Sequence, residues 1–198
     1  GMSSRFFDAG YKIPKYMLQL SGKSLFRHSV ESFSKYFSTE KFVFIIRDIY
    51  GTKDFVEQET KQLGINDYDI VTLSESTRGQ AETVALGVEK YKGEKSLLTI
   101  FNIDTFRPNF EYPELSGKGD GFLEVFKGSG DNWSYVKAES SGTTKINETT
   151  EKVPISDLCC TGLYHFKCID DYFKAYGYYV GLPKEMWAKG ELYIAPLY

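Results

Sequence analysis

The chain has 198 residues, of which 41% are hydrophobic and 26% charged, and its 24 basic and 27 acidic side chains give a net charge of −3. This is the composition of a globular domain and excludes a disordered chain, and no apolar run reaches the roughly 20 residues that span a bilayer. The slight acidity disfavours a protein that grips a nucleic-acid backbone, so we expect neither a nucleic-acid nor a membrane partner.

The cysteines indicate a reducing compartment. Cys159, Cys160 and Cys168 form an odd set with an adjacent pair, whereas disulfide frameworks use even counts at wider spacings. A zinc site would need a second paired cluster, and the two histidines, His28 and His165, lie far apart in the sequence. We therefore expect buried, reduced thiols in a cytoplasmic protein rather than a metal site or a Cys-His nucleophile.

Apolar periodicity predicts alternating strands and helices in the first half of the chain. Helices are predicted over residues 23–37, 52–63 and 80–91, and buried strands over residues 41–46, 68–73 and 96–102. This alternation implies right-handed crossovers and a largely parallel sheet.

The second half has a different pattern. Strands are predicted over residues 121–126, 133–138 and 160–166, joined by turns rich in Gly, Ser, Asp and Asn, and a helix follows Cys168. No linker or repeat divides the chain. The prediction is one α/β domain over residues 1–198, whose later strands are mixed or antiparallel.

The N-terminal segment is a candidate phosphate cradle. Residues 1–4 are small or polar apart from Met2, and Arg5 and Lys15 add positive charge to backbone N–H groups that can approach an anion. Pro14 restricts the backbone immediately before Lys15 and so directs it. The alternative, which composition alone favours, is a flexible basic arm.

Three later features are compatible with the same chemistry. Asp104 follows a buried strand, where its carboxylate can hold Mg²⁺, although a plain strand-ending turn explains it equally well. Gln80 lies at a strand-to-helix turn, where its amide can read a base edge, but helix capping is the commoner role for Gln80 and for Glu82. Glu151 and Lys152 can meet a phosphate or can form a solvated surface pair.

Taken together, these motifs resemble the sugar-phosphate nucleotidyltransferases, also called nucleoside-diphosphate-sugar pyrophosphorylases, of the glycosyltransferase-A-like fold. The resemblance covers nearly the whole chain and rests on motifs in register. They are Gly1-Met2-Ser3-Ser4-Arg5, Pro14-Lys15, Gly22-Lys23-Ser24-Leu25, Gly79-Gln80-Ala81, Asp104, Glu151-Lys152, Thr161-Gly162-Leu163-Tyr164 and Gly190-Glu191-Leu192. Tyr193 follows the last of these motifs.

This resemblance implies a three-layer, Rossmann-like fold with a mixed, mostly parallel sheet. It also implies transfer of a nucleotidyl group from a nucleoside triphosphate to a sugar phosphate or similar small phosphorylated metabolite, with release of pyrophosphate, for polysaccharide synthesis. The implied catalytic residues are Arg5, Lys15 and Lys152, and the implied nucleotide-binding residues are Gly1, Ser3, Ser4, Gly79 and Gln80. The implied sugar-binding residues are Gly162, Tyr164 and Glu191, and Asp104 is the implied ligand of Mg²⁺.

Departures from the family pattern concern both ends of the chain. Ser3 replaces the second loop glycine, and Pro154 comes one position later than the family's proline. No apolar strand precedes Gly1, and the family's second metal-binding aspartate would lie beyond Tyr198. We therefore expect a domain truncated at both ends that lacks its first strand, with a sheet gap or edge that another copy of the chain could fill.

Two other functions stay open. A glycosyltransferase of the same fold would use Asn102-Ile103-Asp104 as a variant of its D-x-D metal motif, although Arg5 and Pro14-Lys15 disfavour it because such enzymes have no triphosphate to neutralise. A non-catalytic nucleotide-binding or sugar-binding remnant of the fold is the third possibility.

Overall fold

Two units, each with its own apolar core, make up the computed structural model, which describes residues 4–198. The first unit comprises the described residues up to Glu75 together with Asn102–Tyr112. The second comprises Ser76–Phe101 and Pro113–Tyr198. Among residues 4–198, no helix combines the length and the apolar character needed to cross a membrane.

The first unit carries three α-helices and four strands. They are α1 (Ser4–Asp8), β1 (Gln19–Leu20), β2 (Lys23–Ser24), α2 (Leu25–Val30), β3 (Lys41–Ile46), α3 (Thr52–Leu63) and β4 (Asp67–Thr72). Strands β1 and β2 form a short antiparallel hairpin, and β3 and β4 pair in parallel from Lys41 opposite Asp67 to Ile46 opposite Thr72. The strand predicted over residues 41–46 is confirmed residue for residue. The helix predicted to end at Leu63 is confirmed, but Thr52, predicted as its cap, is its first residue and Gly51 is the N-cap. Gly64 ends α3 in the left-handed region, with φ at 72°.

The helix predicted over residues 23–37 is interrupted. Its α-helical part is α2, and Glu31–Tyr36 continues as a 3₁₀ helix with Phe33 outside helical geometry. At this point the carbonyl oxygen of Ser32 accepts a hydrogen bond of 3.1 Å from the backbone N–H of Phe110. A contact 78 positions away therefore engages a carbonyl that a regular helix would use internally.

Buried serines attach the segment Asn102–Tyr112 to the rest of the first unit. Ser29 is fully buried and its hydroxyl donates to the carbonyl oxygen of Asn102 at 3.3 Å. Ser32 is 2% exposed, and its hydroxyl oxygen accepts from the backbone N–H of Arg107 at 2.8 Å. Phe110 is also 2% exposed. These bonds hold the loop that contains Asp104.

The second unit carries two helices and five strands. They are α4 (Gln80–Val88), β5 (Leu98–Phe101), β6 (Gly121–Lys127), β7 (Ser134–Ala138), β8 (Ile146–Glu151), β9 (Leu158–Phe166) and α5 (Ile169–Val180). The strands form one sheet in the order β5-β9-β7-β8, with β6 also paired to β9. The core includes the helix residues Ala81, Val84, Ala85 and Val88, which follow helical spacing along one face of α4.

The mixed α/β fold is confirmed, but its parallel share is smaller than expected. In the described part of the chain, the parallel pairing is that of β3 with β4, and every pairing in the five-stranded sheet is antiparallel. Strands such as β7 and β8 are joined by a short turn, which permits antiparallel pairing, whereas parallel pairing needs a longer crossover. The expectation of antiparallel later strands was therefore right, and the expectation of a mostly parallel sheet was not.

Loss of the Ser32 hydroxyl should weaken the first unit. In Ser32→Ala the N–H of Arg107 loses its acceptor, and we expect the free energy of unfolding to fall by about 1–2 kcal/mol in urea denaturation. Ser34→Ala is the control because Ser34 is exposed on the same 3₁₀ helix, and its effect should stay within about 0.5 kcal/mol. Equal losses in the two variants would contradict this account of the loop.

Candidate functional site

In the first unit the fold brings together two residues that the sequence selected separately. Lys15 Nζ donates to Oδ2 of Asp104, which lies 89 positions later in the chain. The side chains keep 25% and 48% of their surface exposed, so both are accessible to a ligand. Lys15 was predicted to meet phosphate and Asp104 to hold a divalent cation.

Both partners of this ion pair are fixed by their neighbours. Pro14 is buried with φ at −58° and ψ at 147°, and Lys15 opens a 3₁₀ helix immediately after it. Asp104 lies in the turn that follows β5 along the chain, and Ile103 packs against the core of the first unit. Pro14 is buried and Ile103 is partly buried against the core, so backbone packing helps determine where the two charged side chains emerge.

The pair suits a Mg²⁺ ion held through one carboxylate. The bond to Lys15 uses Oδ2 of Asp104, and Oδ1 is a second oxygen of the kind that Mg²⁺ prefers. Within residues 4–198, no group of three or more His, Cys, Asp or Glu side chains could hold a metal ion alone. Mg²⁺ commonly takes one or two protein carboxylates and completes its shell with substrate phosphates and water, which fits this donor set.

Four of the predicted nucleotide and phosphate residues lie at the N-terminus. Ser4 and Arg5 begin helix α1, while Gly1 and Ser3 lie outside the described residues. The phosphate cradle at the N-terminus therefore stays a prediction.

In the second unit, the turn before α4 is locked against a second backbone segment. The N–H of Leu192 donates to the carbonyl of Arg78 at 3.0 Å, and the carbonyl of Leu192 accepts from Ala81 at 2.8 Å. Gly79 lies between these bonds with φ at 154°, and a Cβ there would lie 2.4 Å from the carbonyl oxygen of Leu192. Only glycine fits this position, and the reason is contact between two backbone segments.

Gln80 and Glu82, in the first turn of α4, have different surroundings. Glu82 accepts from the backbone N–H of Arg78 at 2.6 Å and from its Nε at 2.8 Å, and these bonds hold the pKa of Glu82 below its ordinary value. Glu82 therefore binds the residue before the N-cap Gly79, which differs from the capping box that the alternative predicted. Gln80 is the first residue of α4 and is half-buried, and its role as a base reader stays a prediction.

Lys152 contacts the side chain of Tyr193, a residue for which the sequence motifs predict no role. Its backbone is left-handed, with φ at 58°, and its ammonium donates to the hydroxyl of Tyr193 at 2.6 Å. The same ammonium lies 4.6 Å from the centre of the Tyr193 ring. The hydrogen bond to Tyr193, with the charges of Glu151 and Glu191, raises the pKa of Lys152. The one sequence signal for Tyr193 was its place beside the Gly190-Glu191-Leu192 motif.

Glu151 ends strand β8 as a buried carboxylate. It is 7% exposed and accepts a hydrogen bond from the hydroxyl of Ser134, and its pKa is raised chiefly by burial. Beside it lies a cavity of about 390 Å³. Its other walls include Thr149, Tyr179, Met186, Lys189 and Pro196.

The three predicted sugar-binding residues have different surroundings. Gly162 is buried in β9 with φ at 94°, where the pairing of β9 with β6 shifts register. Tyr164 is 4% exposed, packs in the core of the second unit and has a side-chain hydrogen bond with Ser134. Glu191 is exposed and remains available to a ligand. The sugar-binding role of the three residues stays a prediction.

The thiols are placed for packing. All three cysteines are free; Cys159 and Cys160 are buried as expected, whereas Cys168 is half-buried. Burial raises the pKa of the Cys160 thiol to about 12, which keeps it protonated and therefore a poor nucleophile.

Comparison with solved structures decides the family. The crystal structure of the nucleoside-diphosphate-sugar pyrophosphorylase from Vibrio cholerae RC9 is 55% identical in sequence, with a TM-score of 0.94. The match covers 100% of the present chain and 83% of that protein. The chain belongs to the nucleoside-diphosphate-sugar pyrophosphorylase family.

More distant structures share the fold of this pyrophosphorylase family member. The inositol-1-phosphate CTP transferase from T. maritima matches with 18% identity and a TM-score of 0.72, over 100% of this chain and 76% of its own. A putative glucose-1-phosphate thymidylyltransferase from Bacillus anthracis matches with 20% identity and a TM-score of 0.70, over 100% and 77%. No known family profile matches the sequence, and no curated protein matches it significantly.

In this pyrophosphorylase family member, a methyl group at position 79 should disturb the contact with Leu192. We expect Gly79→Ala to lower the free energy of unfolding by about 1–3 kcal/mol, because the backbone of Leu192 must move away. Gly177→Ala is the control, since Gly177 is exposed on α5 with nothing within 4 Å of a Cβ. This second change should be neutral or stabilising by up to about 1 kcal/mol. Chemical denaturation measures both, and similar losses in the two variants would contradict the account.

Glu151 should make stability depend on pH. Its pKa is raised above the ordinary 4.5, so the folded protein binds this proton more tightly than the unfolded chain does. The stabilising contribution of the protonated carboxyl is therefore complete below about 4.5 and is lost as pH rises through the folded pKa. We expect Glu151→Gln to raise the free energy of unfolding at neutral pH, with the gain shrinking towards pH 4.5.

The matched control is Glu148→Gln, on the exposed part of the same strand. Denaturation at the two pH values should show little change for this variant at either pH. A gain for Glu151→Gln that stays constant across the range would contradict burial as the cause.

Proposed function

We propose that the protein transfers the nucleotidyl group of a nucleoside triphosphate to the phosphate of a sugar phosphate or similar small phosphorylated metabolite. An oxygen of the acceptor phosphate bonds to the α-phosphorus, the bond from that phosphorus to the pyrophosphate breaks, and pyrophosphate leaves. Family membership supports this reaction class. The observation that carries the assignment to residues is the ion pair of Lys15 with Asp104.

We assign roles in this reaction to three charged residues of the first unit, Lys15, Asp104 and Arg5. Lys15 neutralises the triphosphate and the departing pyrophosphate, because charge on phosphate oxygens is the main obstacle to such a transfer. Asp104 holds Mg²⁺, which when bound neutralises phosphate charge and orients phosphate oxygens. Arg5 adds a further positive charge at the N-terminus, beside Gly1, Ser3 and Ser4 as backbone donors.

Residues of the second unit serve the base and the acceptor. Gln80 and the Gly79 turn read the base, since an amide both donates and accepts hydrogen bonds. Lys152 binds the attacking phosphate and holds it in line. The exposed carboxylate of Glu191 receives sugar hydroxyls, a role that its exposure and its electrostatic proximity to Lys152 support.

The cavity beside Glu151 is proposed to take the body of the acceptor. Its volume of about 390 Å³ falls in the range of roughly 300–1,000 Å³ typical of small-molecule sites. Its walls combine a carboxyl, threonine hydroxyls and the ring of Tyr179, a mixture that suits a hydroxylated ring. We assign Gly162 and Tyr164 the support of this region from β9.

Turnover in the presence of Mg²⁺ tests the reaction and the ion pair together. The chain is incubated with each nucleoside triphosphate and a panel of sugar 1-phosphates, and released pyrophosphate is measured. We expect release with at least one pair of substrates, and a loss on the order of 10²-fold or more in Asp104→Asn, because a metal ligand and the partner of Lys15 are removed together.

Asp67→Asn is the matched control, because Asp67 forms an ion pair of the same kind with Lys41 in the same unit. It should retain turnover. No pyrophosphate from any substrate pair would overturn the proposed reaction. Consumption of a nucleotide-sugar without pyrophosphate would favour a glycosyltransferase instead, and equal losses in the two aspartate variants would remove the special role of Asp104.

A further inference from the structure

We infer that Tyr193 is the residue that positions Lys152 for the acceptor phosphate, and that it acts from a backbone segment fastened to the Gly79 turn. The inference rests on the proposed function, which assigns the acceptor phosphate to Lys152. It adds a positioning residue to that site.

Lys152 needs an external hold because its own side chain is long and flexible. A lysine loses up to roughly 2 kcal/mol of rotamer entropy when it is fixed in one conformation. Its backbone is fixed in the left-handed region, with φ at 58°, and its N–H donates to the carbonyl of Trp133 at 2.9 Å. The backbone conformation and this hydrogen bond fix the position of the Lys152 Cα. The position of the ammonium depends on the groups that Nζ contacts.

Tyr193 meets the ammonium in two ways at once. The hydroxyl oxygen accepts a hydrogen bond of 2.6 Å from Nζ, and Nζ lies 4.6 Å from the ring centre. A hydroxyl bond and a cation–π contact to one ring define a direction as well as a distance. The ammonium has three N–H donors and the hydroxyl accepts one of them, so the geometry leaves donors to point at phosphate oxygens.

The ring of Tyr193 is in turn placed by its neighbours in the chain. Leu192 and Ile194 are 0% and 1% exposed, so buried side chains flank Tyr193 on both sides. Glu191 has an extended backbone, with φ at −123° and ψ at 157°. Because side chains alternate along extended chain, Glu191 and Tyr193 point away from the core while Leu192 points into it.

The Gly79 turn anchors this segment. Both backbone bonds of Leu192, to Arg78 and to Ala81, belong to the turn that opens α4. A residue one position from Tyr193 therefore cannot move without breaking bonds of the turn assigned to the base. The Gly79 turn therefore restrains Leu192 through two hydrogen bonds, Leu192 restrains the adjacent Tyr193, and Tyr193 restrains the ammonium of Lys152.

Tyr193→Phe tests the inference because it keeps the ring and removes the hydroxyl. We expect kcat/KM for the sugar phosphate to fall about 10-fold to 100-fold, as a hydrogen bond to a charged group is lost. The KM for the nucleoside triphosphate and the thermal unfolding midpoint should stay near their wild-type values. Tyr178→Phe is the control, because Tyr178 is 75% exposed on α5, and it should change none of these quantities.

A double-mutant cycle separates positioning from general damage. In a Lys152→Ala background, Tyr193→Phe should have no further effect on kcat/KM, since the tyrosine acts through the lysine. If Tyr193→Phe leaves the wild-type kcat/KM unchanged while Lys152→Ala lowers it, the positioning role is overturned and the proposed function stands. An equal loss from Tyr193→Phe with and without Lys152 also overturns it.

A readout independent of turnover distinguishes failure of this inference from failure of the proposed function. The side-chain NMR signals of Lys152 report its titration, and the bond to Tyr193 should hold its pKa above the ordinary 10.5. Tyr193→Phe should lower that pKa, while Tyr178→Phe should leave it in place. If the pKa of Lys152 is unchanged in Tyr193→Phe, Tyr193 does not position Lys152. If that pKa shifts but the protein releases no pyrophosphate, the proposed reaction fails and the contact between Tyr193 and Lys152 stands.

Discussion

The contact of Gly79 with Leu192 is the constraint from which the second unit's functional geometry follows. Two hydrogen bonds join the segments, and the space between them excludes even one methyl group. Leu192 is buried, which directs Glu191 and Tyr193 to its other side. The charge of Glu191 and the ring of Tyr193 both act on one lysine ammonium. A glycine thus helps to place the Lys152 ammonium through backbone packing, without touching that side chain.

The sequence predicted an element accurately where long-range contacts favoured the same structure as the local pattern of residues. Strand 41–46 was predicted to the residue, and the helix ending at Leu63 to within one residue, because an unbroken apolar run and a regular helical period are strong local signals. Strand β8 was missed, since Ile146–Glu151 has one strongly apolar residue and resembles a polar turn. The α-helix predicted within residues 23–37 ends at Val30, and in the 3₁₀ helix that follows Ser32 accepts a hydrogen bond from Phe110, a partner that no local pattern could reveal.

The candidate site was predicted residue by residue, but its arrangement was not. Motif order selected Lys15 and Asp104, and the ion pair shows that the selection was spatially consistent. The motif could not show that Tyr164 would be buried, because a sequence pattern does not state which way a strand residue faces. Nor could it show Tyr193 as the partner of Lys152, since that contact spans 41 positions and depends on the route taken by the chain.

The split of the first unit into two stretches of sequence has a consequence for synthesis on the ribosome. Ser29 and Ser32 bind residues of Asn102–Tyr112. This segment leaves the ribosome only after α4 and β5, which belong to the second unit. Until then, the hydroxyls of Ser29 and Ser32 lack these two hydrogen bonds. The first unit is complete in sequence only once Tyr112 has been made, and the ion pair of Lys15 with Asp104 cannot form before that segment is present.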